Sequence, residues 1–92
     1  MRDDAIWGAA IRSAFGKRVR EVRLSVDISQ EELAHRSGLD RSYVGQVERG
    51  ERNLTLENIF RIAEGLGVPP AKLVVELNES IDLASAGKEG RQ

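Results

Sequence analysis

The sequence contains no cysteine. No disulfide framework, thiolate zinc site or cysteine nucleophile can be built from it, and a reducing cytoplasm suits such a chain. Long apolar runs are equally absent. Nothing approaches the ~18 residues a membrane-crossing helix needs, and Asp3 and Asp4 stand where an export signal would place a basic stretch leading into an apolar one. The chain is therefore expected to be soluble, unexported and cytoplasmic, with no membrane attachment. Histidine is reduced to His35, with no second histidine or cysteine to share a metal. The carboxylates are dispersed and no serine stands in an elbow-like context. Gly65-Leu66-Gly67 ends a helical pattern instead of following a strand, so it cradles no phosphate. Neither catalysis nor a metal nor a cofactor is expected.

An excess of one charge is also missing. The formal net charge is -1, whereas a nucleic-acid binder is usually basic. Residues 1–52 carry ten Arg/Lys against nine Asp/Glu, and residues 53–92 carry four against six. The distribution says more than the sum. Arg12, Lys17, Arg18, Arg20 and Arg23 have only Glu21 in their neighbourhood, which allows a local basic face.

What is present centres on Ser29 to Gly50. Ser29 and Glu32 have the spacing of a capping box, in which the hydroxyl serves the first turn and the glutamate reaches back to the Ser29 N–H. Gly38 stops that helix, and Asp40 is placed to cap a second one running to Gly50. A turn of about three residues between two short helices is the length of a helix-turn-helix. Leu33, Val44 and Val47 lie on the facing sides, with Ala34 small at the crossing.

Ninety-two residues make one domain with a modest core. Trp7, Ile11, Phe15, Val19 and Val22 recur at helical spacing, so an amphipathic helix runs from near Asp4 to about Leu24. Gly8 and Gly16 weaken it by about 1 kcal/mol each, which sets the first two turns apart as a separate or frayed segment. Downstream, Glu51 to Leu54 read as a loop and Thr55 as the cap of a fourth helix. Ile59, Ile62, Ala63 and Leu66 form its apolar face and Gly67 its end. Pro69-Pro70 begin a fifth helix, from about Pro70 to Leu77, with Leu73, Val74 and Leu77 at helical spacing. Beyond Asn78 only Ile81 and Leu83 are large and apolar, and the last six or so residues are expected to be disordered. With no strand-like alternation and no repeat, the fold class is all-α. Three segments follow: an N-terminal extension over 1–13, either separate from or continuous with the first helix, a domain over 14–77 and a partly disordered tail over 78–92.

The runs Phe15-Gly-Lys-Arg-Val-Arg-Glu-Val-Arg23, Ser29-Gln-Glu-Glu-Leu-Ala34, Gly38, Tyr43-Val44, Val47-Glu-Arg-Gly50, Thr55-Leu-Glu57 and Ala63-Glu-Gly-Leu-Gly-Val68 together resemble the Cro/cI-type (Xre-like) helix-turn-helix family. The resemblance covers about residues 14–77. It implies a five-helix, lambda-repressor-like domain with the helix-turn-helix at its second and third helices. It also implies sequence-specific binding of double-stranded DNA, usually by a two-fold homodimer. In such proteins the second helix of the unit enters the major groove with its N-terminal residues at the base edges. That marks Arg41, Ser42 and Gln46 as base readers, since arginine can grip guanine and glutamine adenine through paired hydrogen bonds.

Phosphate contacts are expected from Lys17, Arg18, Gln30, Tyr43, Arg49, Arg52 and Asn53, though not from all of them. Gln30 would present the α-helix N-terminus to an anion. Tyr43 either donates to a phosphate or packs on the edge of the core. Arg23 and Glu48 match an ion pair that commonly locks the first helix to the recognition helix, a structural role. Leu73, Val74, Leu77 and Ile81 are the apolar groups left for a dimer interface, with Leu73 or Val74 also available to the core.

Three positions depart from the family pattern: Asp27 where glycine is common, Leu54 where proline is common, and Gly45 inside the recognition helix. The resemblance extends to stand-alone phage-type regulators and to the small controller proteins of restriction-modification systems. Regulation by the protein's own concentration follows, with no small-molecule effector expected. The competing reading is a protein-interaction or antitoxin-like module on the same fold.

Overall fold

Asp3 opens the longest helix, its Oδ1 accepting from the N–H groups of Ala5 and Ile6 at 2.9 and 3.2 Å. In the computed structural model, which describes residues 3–81, the elements are α1 (Asp4–Ser25), α2 (Gln30–Ser37), α3 (Arg41–Glu48), α4 (Leu56–Leu66) and α5 (Ala71–Val74). No strand occurs among the described residues. Met1, Arg2 and the tail from residue 82, including Leu83 and the stretch expected to be disordered, lie outside them.

α2 and α3 have eight residues each, short of the ~12–15 at which an isolated helix becomes even marginally stable. Burial holds them. Leu33, Val44 and Val47 are fully or almost fully buried, as expected from the sequence, and they meet Phe15, Val19 and Val22 of α1 and Ile62, Ala63 and Leu66 of α4. Each fully buried Val or Leu contributes roughly 1.5–3 kcal/mol, so the core outweighs the weak propensity of two-turn helices.

Four chain reversals share one hydrogen-bond pattern. After α1, the N–H of Ile28 donates to the carbonyl of Arg23 and that of Asp27 to Leu24. The same pair of bonds recurs around Gly38, Gly50 and Gly67, and each central residue has positive φ. These are Schellman endings, which need a left-handed residue. Asp27, at φ 60°, fills the place that glycine fills in the other three. The sequence departure at position 27 is thus an aspartate in a glycine's conformation, which Asp tolerates better than most residues.

Two helix crossings depend on glycines for closeness. A β-carbon on Gly16 would run into the carbonyl oxygens of Val47 and Glu48, the latter at 2.8 Å, so α1 and α3 touch backbone to backbone there. Of the two readings of the chain's start, separate or continuous with the first helix, α1 shows the continuous one from Asp4, and Gly16, which weakens the helix, is what lets α3 dock. At the second crossing Gly65 of α4 lies against Ser37 and Leu33 of α2.

Three expectations are corrected. The capping box at α2 is half formed: the Ser29 hydroxyl accepts from the Glu32 N–H at 3.0 Å, but the Glu32 carboxylate pairs with Arg36 at 2.8 Å. Asp40 occupies the N-cap of α3 without a side-chain cap bond. The fifth helix does not run from Pro70 to Leu77. It stops after Val74 because Val75 is extended and Glu76 has φ 61°, and residues 77–81 are again helical.

Candidate nucleic-acid interface

The unit formed by α2 and α3 presents one outer face built from the start of both helices. Arg41 and Ser42 are exposed at the first turn of α3, and Gln46 is half-buried one turn on. Among the described residues Arg41 makes no ion pair, so its planar fork is available for a bidentate partner.

Behind this face lies a buried polar network. Arg23 of α1 donates through Nε and Nη2 to both carboxylate oxygens of Glu48, at 2.6 and 3.0 Å, and through Nη1 to the Ile28 carbonyl at 2.9 Å. The two side chains are only 8% and 3% exposed. The hydrogen bond to Glu48 holds the guanidinium above its ordinary pKa, although burial opposes this. Gln30 completes the set, its Nε2 donating to Glu48 Oε1 at 3.0 Å. The carboxylate thus ties α1, the first residue of α2 and the end of α3 together, and Arg23 adds the turn before α2. Its effect on recognition is indirect: it fixes the angle at which α3 is offered.

The residues expected at phosphates are divided by the structure. Lys17, Arg49, Arg52 and Asn53 are exposed. Gln30 is half-buried with its amide NH₂ engaged by Glu48, which leaves its carbonyl and the helix N-terminus facing out. Tyr43 packs on the edge of the core, and its hydroxyl accepts from Asn58 Nδ2 at 3.0 Å. The phenolic proton is left over to donate, so packing and phosphate contact are compatible. The Arg52 guanidinium stacks over the Tyr43 ring, 4.9 Å from its centroid. Arg49 is paired with Glu51 at 2.9 and 3.3 Å. That pair raises the arginine's pKa and lowers the glutamate's, chiefly through the hydrogen bond. Arg18 is withdrawn from the set. Its guanidinium donates to the Lys72 and Val75 carbonyls at 2.7 and 2.8 Å, where the break after α5 leaves those groups without helical partners.

The apolar groups assigned to a dimer interface are also redistributed. Leu73 and Leu77 are 0% and 9% exposed and belong to the monomer's own core, and Ile81 packs against that core. Val74 alone stays outside, at 48%. The largest apolar exposure on α4 was not anticipated: Leu56 is 70% and Phe60 54% exposed. With Val68 and Pro70 they line an open groove edged by Glu57, Arg61 and Glu64. Their i, i+4 spacing, offset from the Ile59-Ile62-Leu66 stripe, was the available signal. Leu56 and Phe60 both lie outside the core face of the helix and leave apolar surface open to solvent.

Among the described residues no group of histidines and carboxylates could hold a metal, and no helix is long and apolar enough to cross a membrane. Comparison with known proteins agrees with this geometry. A family model described as helix-turn-helix matches residues 19–73. The control protein C.BamHI of Bacillus amyloliquefaciens is 48% identical over 65 residues, covering 70% of this chain and 80% of that protein. The control protein C.SmaI of Serratia marcescens is 40% identical over 74 residues, covering 80% and 88%. Among solved structures, the restriction-modification controller protein C.AhdI of Aeromonas hydrophila superposes with a TM-score of 0.66 at 53% identity, covering 67% of this chain and 94% of that one. The chain belongs to the Xre-like helix-turn-helix family: it is a non-enzymatic transcriptional regulator of lambda-repressor-like fold that binds double-stranded DNA.

Proposed function

We propose that this regulator is a homodimer that binds a palindromic operator upstream of its own gene, in the manner of restriction-modification controllers. The observation that carries the reading is the exposed first turn of α3, where Arg41 makes no ion pair among the described residues while Glu48, at the other end of the helix, anchors it to α1. Arg41, Ser42 and Gln46 read base edges in the major groove. Lys17, Gln30, Tyr43, Arg49, Arg52 and Asn53 grip the flanking phosphates and set the register. The two-fold partner is held through the α4 face. A two-fold interface must be complementary to itself, and this patch carries apolar Leu56 and Phe60 together with both signs of charge at Glu57, Arg61 and Glu64. Paired domains then meet half-sites about one helical turn apart. Concentration of the protein is the regulatory input, and the reading needs no small-molecule effector.

Fluorescence anisotropy tests the reading, with duplex from upstream of the gene, scrambled competitor and two salt concentrations. Tight binding that survives competitor is expected, and the Arg41→Ala, Gln46→Ala double variant should lose about 1–3 kcal/mol per reader. Equal, weak binding to both duplexes would reject the operator and favour the protein-interaction or antitoxin-like alternative, which the near-neutral charge suits.

A further inference from the structure

Arg49 is exposed, with one end of its guanidinium lying back over α3. Its Nη1 is 3.2 Å from the point where a β-carbon on Gly45 would stand, and Oε1 of Gln30 is 3.7 Å from the same point. The missing side chain at position 45 is therefore a seat for the Arg49 guanidinium beside the first turn of α2. The side chain of Gln30, the first residue of α2, borders the same place, and the guanidinium held there suits an anion.

In the free protein the anion there is supplied by the chain itself. Arg49 Nε and Nη2 donate to the two carboxylate oxygens of Glu51, and the side chains remain 60% and 51% exposed. A carboxylate gripped by two parallel N–H donors uses the same guanidinium edge that grips two oxygens of a phosphate. The contrast with Arg41 is informative. The arginine assigned to bases is unpaired among the described residues, whereas the arginine assigned to the backbone is neutralised.

We propose that Glu51 is an intramolecular competitor for DNA at Arg49: its carboxylate holds, in the free protein, the place that a backbone phosphate takes in the complex. Binding any duplex then requires exchanging one anion for another at this seat, with no net gain of a cation–phosphate contact. The sequence-independent part of the affinity is held down, and base contacts carry a larger share of what remains. The near-neutral net charge of the chain works in the same direction. This inference rests on α3 docking in the major groove with Arg49 toward the phosphates.

The test is salt-dependent anisotropy on a random-sequence duplex, which needs no knowledge of the operator. Wild type, Glu51→Gln, Arg49→Gln and the double variant are compared, with thermal melts in parallel to show that all four are folded. Glu51→Gln should bind up to about fivefold more tightly, with a salt slope steeper by about 0.9. In the Arg49→Gln background the same change should be nearly silent. A Glu51→Gln variant indistinguishable from wild type overturns the proposal. So does an equal gain in both backgrounds, because that is long-range charge and not competition at Arg49. Absence of wild-type binding even at low salt would overturn the groove docking as well, which separates the two failures.

Discussion

Glu48 joins three elements of this domain through one buried polar network. It accepts from Arg23 and Gln30 with only 3% of its side chain exposed, so its removal leaves a guanidinium buried without its counter-charge. Glu48→Ala should lower stability by about 3–5 kcal/mol, read as a fall in the denaturant midpoint. That is a large fraction of the ~5–15 kcal/mol of a typical domain. A loss under 1 kcal/mol would show that the pair is well solvated and contributes little. The pair was legible in the sequence through the family resemblance. Its third member, Gln30, was assigned to a phosphate, because nothing in the spacing of residues 30 and 48 says that their side chains meet.

At the scale of the element, helix ends were more legible than helix contacts. Ser29, Gly38, Thr55 and Gly67 cap or stop helices where their chemistry says they should, since capping is decided within four or five residues. Asp27 is the informative exception. It supports the same Schellman ending as three glycines, at a cost in the left-handed region of about 1–2 kcal/mol for an ordinary side chain. Glycine removes that cost but gives back roughly 0.5–1 kcal/mol of chain entropy. Asp27→Gly should therefore raise stability by about 0.5–1 kcal/mol in a chemical denaturation series, with DNA binding unchanged. The break after α5 was not legible. Helical spacing of Leu73, Val74 and Leu77 is satisfied equally by one helix or by two short pieces, and the deciding contact is Arg18, more than fifty residues earlier, holding the carbonyls of Lys72 and Val75.

For the whole molecule the proposed dimer turns on which apolar surface is left for a second copy. Leu73 and Leu77 are consumed by the core, and α4 offers Leu56 and Phe60 in their place. Phe60→Glu should give a protein with wild-type helicity that sediments as a monomer at concentrations where wild type is a dimer. Its operator affinity should fall by well over tenfold, since each half-site would bind alone. Unchanged sedimentation would move the interface elsewhere, with Val74 the next surface to examine.

The chain by itself determined the all-α class and the helix-turn-helix with its turn, and through its family resemblance it nominated the side chains proposed for bases and phosphates. These follow from local chemistry: caps, stop residues, apolar period, and side chains whose donors suit bases or phosphates. Tertiary structure alone decided which groups are already taken. Arg18 belongs to the end of α5, Gln30 to Glu48, Arg49 to Glu51, and Leu73 and Leu77 to the core. The period of a helix says which residues share a face. Only packing in three dimensions says what that face meets, and a cation or an apolar side chain is free for a partner only when the fold has not supplied one.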